Sequence, residues 1–361
     1  MWPDRRLLDL LGTESPIIQA PMAGAMDTDL VIAACAGGAL GSLPCAMLSV
    51  DEARKQIALL FSSTRAPFNV NFFCHPPLAP MATDAETDAR WMKRLAPYYE
   101  ELGLDPDEKL ASASRAPFSG ATCALIEESR PPVVSFHFGL PDAPLMARVK
   151  ATGAVVLSSA TTVEEALALE ERGVDAIIAQ GAEAGGHRGT FLTSRVEAQV
   201  GTLALVPQVV DAVRVPVIAA GGIADGRGIA AAFALGAAGV QIGTAYLRCP
   251  ESKISALVRA ALAGARDHST AITNVMTGRP ARGIVNRLMR EIGALSDDVP
   301  PFPHAATALA SLRAAAEKKG STDFTPLWSG AAAALAREMP AADLTRMLSR
   351  TALERLQVLS R

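Results

Sequence analysis

The sequence predicts an α/β protein, a (β/α)₈ TIM barrel with a smaller helical lid or insertion and C-terminal helices. Two observations carry this. Eight short apolar runs recur along the 361 residues, each closed by a turn-forming residue and followed by an Ala/Leu/Glu-rich helical segment. Half of the residues are hydrophobic but only 5% are aromatic, the mix expected of buried parallel strands covered by helices.

The runs are Ile17–Met22, Ala39–Pro44, Phe68–Phe73, Val133–Phe138, Ala154–Ser159, Ala176–Gln180, Val217–Gly221 and Gly239–Gly243. None alternates polar and apolar residues, as strands buried on both faces need not. Alternating strands and helices imply a parallel sheet with right-handed crossovers, and eight units suit a closed barrel. One helix start is well marked. Thr162 is placed as an N-cap with Glu165 three residues later, a capping box, and Gly173 lies past the helix end. The acidic runs Glu164-Glu165 and Glu170-Glu171 read as solvated faces.

Two regions break the rhythm, and they divide the chain. Residues 1–73 form the first part of the barrel and 133–290 the second, with a phosphate-type site. Residues 74–132 are too long for a plain crossover and rich in Pro, charge and aromatics (Trp91, Tyr98, Tyr99), so they are expected to lie over the mouth as a lid. Residues 291–361 form a C-terminal helical segment after a Pro-rich break at 299–304.

Composition excludes several classes. With 34 basic and 37 acidic residues the net charge is −3, which gives no electrostatic case for nucleic acid or an anionic membrane. The five cysteines are scattered without a CxxC pair, and the five histidines show no HExxH spacing, so no metal site or disulfide framework is expected. No apolar stretch reaches the ~18 residues of a membrane span. The expectation is a protein of the reducing cytoplasm, as a monomer or homodimer.

Function in such a barrel collects at the C-terminal strand ends, where this sequence places unusual residues. Gly221-Gly222 and Gly243-Thr244 follow the seventh and eighth strands, where barrels commonly bind phosphate on exposed backbone N–H groups. One such pair would make a tight turn and nothing more; two at the expected strands point to a phosphate. GxGxxG and Walker patterns are absent. His187, in the Gly-rich loop after the sixth strand, is the sharpest candidate for acid–base work near neutral pH. His137, between Phe136 and Phe138, has two readings that both stand at this point, a core histidine or a pocket wall that hydrogen-bonds substrate.

The set QAPMAG (19–24), SFHFG (135–139), QGAEAGGHRG (180–189), AAGGIADG (219–226) and QIGT (241–244) resembles the class I nitronate monooxygenases, formerly called 2-nitropropane dioxygenases. The resemblance runs from Ile17 to about Trp328. It implies non-covalent FMN, with the isoalloxazine against Pro21, Met22 and Ala23, with Asn71 and Gln180 on the ring or ribityl chain, and with the phosphate on Gly185, Gly222, Gly243 and Thr244, Gln241 adding to the set. It implies that His187 is the catalytic histidine and His137 a substrate-pocket histidine. The implied reaction is oxidation of alkyl nitronates such as propionate 3-nitronate by O₂ to a carbonyl compound and nitrite-level products. Ala25 and Phe302 depart from the family pattern, which has glycine and tyrosine there. The EAGGH loop also occurs in related FMN-dependent enoyl reductases, so an NAD(P)H-dependent enoyl or quinone reductase on the same fold is the alternative. A flavin-binding barrel without catalysis is the third, and the presence of both histidines argues against it.

Overall fold

A computed structural model describes residues 1–75, 85–106, 116–193, 195–196 and 198–359. Parts of the expected lid, 76–84 and 107–115, lie outside the described residues.

All eight expected strands form one parallel sheet. In chain order they are β1 (Ile17–Gln19), β2 (Gly41–Pro44), β3 (Phe68–Phe73), β4 (Val133–His137), β5 (Val155–Ala160), β6 (Ala176–Gln180), then, after a short β7 (Gly186–His187), β8 (Val217–Ala220) and β9 (Gly239–Ile242). The spatial order is β1-β9-β8-β6-β5-β4-β3-β2. A bridge between Ile18 and Leu40 brings the two ends together, with the Leu40 N–H donating to Ile17 and the Gln19 N–H to Leu40, both at 2.9 Å. Five strands are shorter than their apolar runs, β1 and β4 among them. β1 stops at Gln19, since Pro21 has no N–H to give a ladder. β4 stops at His137, because Phe138 turns to a φ of 70° and Gly139 to 88°.

The barrel interior changes character along its axis. At the N-terminal end it is apolar (Ile18, Leu157, Ile178, Ile218) and is plugged by Leu7 and Leu11 of the helix Arg6–Leu11. Further up comes a polar layer. Asn69 Nδ2 donates to Ser42 and Ser135 hydroxyls at 3.0 and 2.8 Å, and Asn71 Nδ2 donates to Ser135 Oγ at 2.9 Å. Such a layer favours polar contents at the mouth, because buried polar groups need partners.

The helix after β5 shows half of the expected capping box. Thr162 accepts the Glu165 N–H at 3.1 Å. Glu165 does not answer back to Thr162. It is fully buried, accepts from the Thr161 N–H and hydroxyl at 2.7 Å, and accepts the Phe191 and Leu192 N–H groups at 2.7 and 3.1 Å. This corrects its reading as part of a solvated face: four donors replace its water. Glu170 likewise accepts the Arg214 and Val215 N–H groups.

A second core lies outside the barrel. It joins Trp91, Leu95, Tyr98 and Tyr99 of the helix Ala85–Leu102 to Val275, Met276, Leu288, Leu309, Leu312 and Phe324. This lobe carries a three-stranded antiparallel sheet, β10 (Thr270–Thr273), β11 (Ala281–Ile284) and β7, in that order. The final helix, Ala341–Leu359, returns to the barrel, where Thr345 hydrogen-bonds the buried Tyr246 hydroxyl at 2.7 Å. Among the described residues no helix is long and apolar enough to cross a membrane.

Candidate active site

The C-terminal mouth of the barrel holds two constructions. The first is a backbone cradle. Gly221 and Gly222, with φ of 114° and 70°, turn the chain after β8 in a way that side-chain-bearing residues rarely adopt. Gly243 follows β9, and the Thr244 hydroxyl accepts the Gly330 N–H at 2.9 Å. The segment Pro21–Ala23 is half-buried beside it: a Cβ on Gly243 would stand 3.5 Å from Ala20 Cβ and 3.7 Å from Met22 Sδ, so the position is roomy. Gln241 is half-buried on β9. Gly185 is different. A Cβ there would meet Gly330 N at 2.5 Å and the Ser329 carbonyl carbon at 2.6 Å, so its missing side chain lets two loops touch. Gly186, next along, faces open space at a φ of 76°.

The second construction is a pocket around His187. The residue follows β6 as expected, but it also sits on an edge strand. β7 pairs with β11, with Ala281 opposite His187 and Arg282 opposite Gly186. Its imidazole Nε2 lies 2.9 Å from the Thr277 hydroxyl. Its ring lies 5.4 Å from that of Phe302, 5.3 Å from Trp328 and 6.0 Å from Phe138, centroid to centroid. Around it, Gln180 has both amide ends engaged: Nε2 donates to the His187 carbonyl at 3.0 Å and Oε1 accepts the Gly189 N–H at 2.8 Å. Arg188 is wholly buried and donates to the Gln180 and Gly181 carbonyls at 2.7 and 2.5 Å, tying the loop to the end of β6. Asn71 belongs to the polar layer below, where Ser135 takes its amide N–H.

His137 has partners at both ring nitrogens. Nδ1 lies 2.7 Å from the Ser159 hydroxyl and Nε2 lies 3.3 Å from the His187 carbonyl. A carbonyl only accepts, so Nε2 carries the proton and Nδ1 accepts from Ser159. Burial, and then the nearby Arg279 and Arg188 cations, lower its pKa to about 3, so the ring is neutral at neutral pH.

Several residues escaped the sequence reading. Thr277 supports His187. Arg279 lies with its guanidinium carbon 3.9 Å above the Phe138 ring and donates to the Thr190 carbonyl, while its Nε is buried without a partner. Burial lowers its pKa to about 10, which leaves it charged at neutral pH. Ser159 and Trp328 complete the walls. No local pattern marks these residues, since they reach the mouth from β5 and the second lobe. Phe302, noted in sequence only as a departure, packs against His75, Phe138 and His187.

Comparison with known proteins shows the family. A family model described as nitronate monooxygenase matches residues 4–350. The chain is 44% identical to nitronate monooxygenase of Paraburkholderia phytofirmans, over 96% of this chain and 94% of the relative. It is equally identical to nitronate monooxygenase of Pseudomonas aeruginosa, over 95% and 97%. Among solved structures it resembles a nitroalkane oxidase from Streptomyces ansochromogenes, with a TM-score of 0.87, 38% identity, and coverage of 98% of this chain and 99% of that one. The chain is an oxidoreductase on a TIM barrel and belongs to the nitronate monooxygenase family.

Proposed function

We propose that this enzyme oxidises alkyl nitronates of the propionate 3-nitronate type with O₂, using FMN held at the barrel mouth. The products are a carbonyl compound and nitrite-level nitrogen. The observation that supports this best is the juxtaposition of a glycine-turned backbone cradle with a hydrogen-bonded histidine in an aromatic pocket.

The residues present fit FMN. The cradle has open α-carbons at Gly243 and Gly186, and Gly221-Gly222 supplies a turn that lets backbone N–H groups face an anion. Gly222, Gly243, Thr244 and the Gly185 backbone would hold the phosphate, and Pro21, Met22, Ala23, Asn71 and Gln241 would surround the rest. When bound, FMN supplies the electron acceptor that takes electrons from the nitronate and passes them to O₂.

The chain's own residues perform the remaining work. With a neutral nitroalkane, His187 takes the α-proton onto its imidazole; the C–H electron pair moves into the C=N bond and leaves a nitronate. With a nitronate supplied directly, no proton needs removing, and the ring donates to a nitronate oxygen in its protonated form, which carries a second N–H. Phe138, Phe302 and Trp328 exclude water from around it. Arg279 contributes positive charge beside an anionic substrate. Gln180 and His137 both donate to the His187 carbonyl, so they hold the residue that carries the base.

Two measurements test this reading. Acid-released flavin is expected to chromatograph as FMN; FAD, or a protein that ignores added FMN, would overturn the cofactor. Under anaerobic conditions propionate 3-nitronate is expected to bleach the flavin absorbance in stopped flow, while NADH and NADPH leave it unchanged on that timescale. Rapid bleaching by NADH with no response to the nitronate would assign the reductase activity instead.

A further inference from the structure

We infer that Thr277 is the positioning residue of the proton-transfer step, orienting the His187 imidazole through its hydroxyl. The inference rests on the reading of His187 as the base.

The hydroxyl lies 2.9 Å from His187 Nε2 and is 1% exposed, so water does not compete for it. The Arg279 carbonyl lies 3.4 Å from the same oxygen and can take its proton. Oγ1 is then an acceptor for Nε2–H. That arrangement serves both charge states of the ring: the Nε2–H···Oγ1 bond persists whether or not the imidazole has accepted a substrate proton. A carboxylate at this place would attract the cation and raise its pKa. A neutral hydroxyl orients the ring without that bias. Near the pair lie the Arg279 cation, over the Phe138 ring that flanks His187, and the neutral His137, whose Nε2 donates to the His187 carbonyl.

The position of Thr277 is itself fixed. Gly278 has a φ of 86°, and a Cβ there would stand 2.1 Å from the Pro300 carbonyl oxygen and 2.6 Å from the Phe302 N. The chain next to Thr277 is thus pressed onto the strand of residues that brings Phe302 to the pocket. The threonine hydroxyl, the imidazole and the Phe302 ring form one unit drawn from three segments far apart in sequence.

The test compares Thr277→Val, Thr277→Ser and His187→Ala as flavin-loaded proteins on nitroethane and on ethyl nitronate, with pH profiles. Thr277→Val keeps the shape and removes the hydroxyl. It is expected to lose about tenfold or more in kcat/KM on nitroethane, and to shift the pH profile of that reaction, the scale of one orienting bond to a general base. Its loss on ethyl nitronate is expected to be the smaller of the two, since no proton is removed there and only the ring's hydrogen bond to the nitronate is disturbed. Thr277→Ser is expected to restore nitroethane turnover. The ¹⁵N resonance of the His187 ring, identified by its loss in His187→Ala, is expected to move in Thr277→Val and return in Thr277→Ser. A Thr277→Val protein that keeps the wild-type profile and resonance, while His187→Ala is impaired, overturns this inference alone. Equal loss on both substrates without rescue by serine does the same. A His187→Ala protein as active on nitroethane as wild type removes the base and this inference with it. If the valine variant does not fold, the serine variant decides: loss of nitroethane turnover with an unmoved resonance refutes the inference.

Discussion

The cradle and the pocket share one rim of the barrel but are assembled differently. The cradle uses short consecutive stretches: Pro21–Ala23 after β1, Gly221-Gly222 after β8 and Gly243-Thr244 after β9. Each is punctuated by proline or glycine, whose backbone needs are local. The pocket gathers side chains from distant segments. His187 meets a threonine 90 residues away, and the walls come from Phe138, Phe302 and Trp328. The lesson is that the proposed phosphate cradle is written in single strand–turn units, whereas the proposed proton-transfer pocket is written in the packing of two lobes.

Breaking the pocket is expected to have the largest effect. His187→Ala removes the imidazole but leaves the cradle, so the protein is expected to retain FMN. Turnover of a neutral nitroalkane is expected to fall by roughly 10²-fold or more, the scale for losing a general base, and that of the nitronate much less. Equal wild-type and variant rates on nitroethane would show that the ring serves only the structure.

Breaking the cradle is expected to have a smaller effect. A Cβ on Gly243 meets only ordinary contacts in the free protein, and its φ of −110° suits any residue. Gly243→Ala is therefore expected to melt within about 2 °C of wild type yet to bind FMN about tenfold more weakly, a loss of about 1.4 kcal/mol. Gly185→Ala provides the contrast. Its Cβ would enter the Ser329–Gly330 backbone, so loss of thermal stability is expected to accompany any loss of flavin. If Gly243→Ala binds FMN as wild type does, the cradle lies elsewhere.

Phe302 tests the wall of the pocket. Its ring packs on His75, Phe138 and His187. Phe302→Tyr adds one hydroxyl donor to this wall. The KM for propionate 3-nitronate is expected to fall roughly three- to fivefold with kcat unchanged, the size of one net hydrogen bond. Steady-state kinetics beside a nitronate without a carboxylate would show whether the gain depends on that group.

These contrasts also mark what the sequence disclosed. The eight strands, the turns after the last two and the loop bearing His187 were legible, because apolar period and glycine placement are local signals. Thr277 and Arg279 were not, since a TGRP stretch looks like any turn until the second lobe folds back and pairs β11 with β7. Glu165 was read as solvated because helix position reveals its cap but not the Phe191–Leu192 loop that descends on it.

His137 offers the finest test, because the expected effect on catalytic pH dependence is none. Both ring nitrogens are engaged, by the Ser159 hydroxyl and the His187 carbonyl, so the ring holds its neighbour in place. Its pKa, lowered to about 3 mainly by burial, keeps it uncharged across the working range of the enzyme. His137→Gln retains a donor for the His187 carbonyl, and the midpoint of the kcat/KM profile above pH 5 is expected not to move. Stability should respond instead. Above pH about 6.5 the histidine is neutral in both folded and unfolded chains and contributes no pH dependence. As pH falls from about 6.5 toward about 3, the unfolded chain takes up a proton that the folded one refuses, and the equilibrium moves toward unfolding. Wild type is thus expected to lose denaturation midpoint more steeply than His137→Gln below pH about 6.5, with parallel curves above it. A midpoint shift in the activity profile would instead make His137 a titrating participant in the reaction, and parallel stability curves at acid pH would show that the ring is not held neutral.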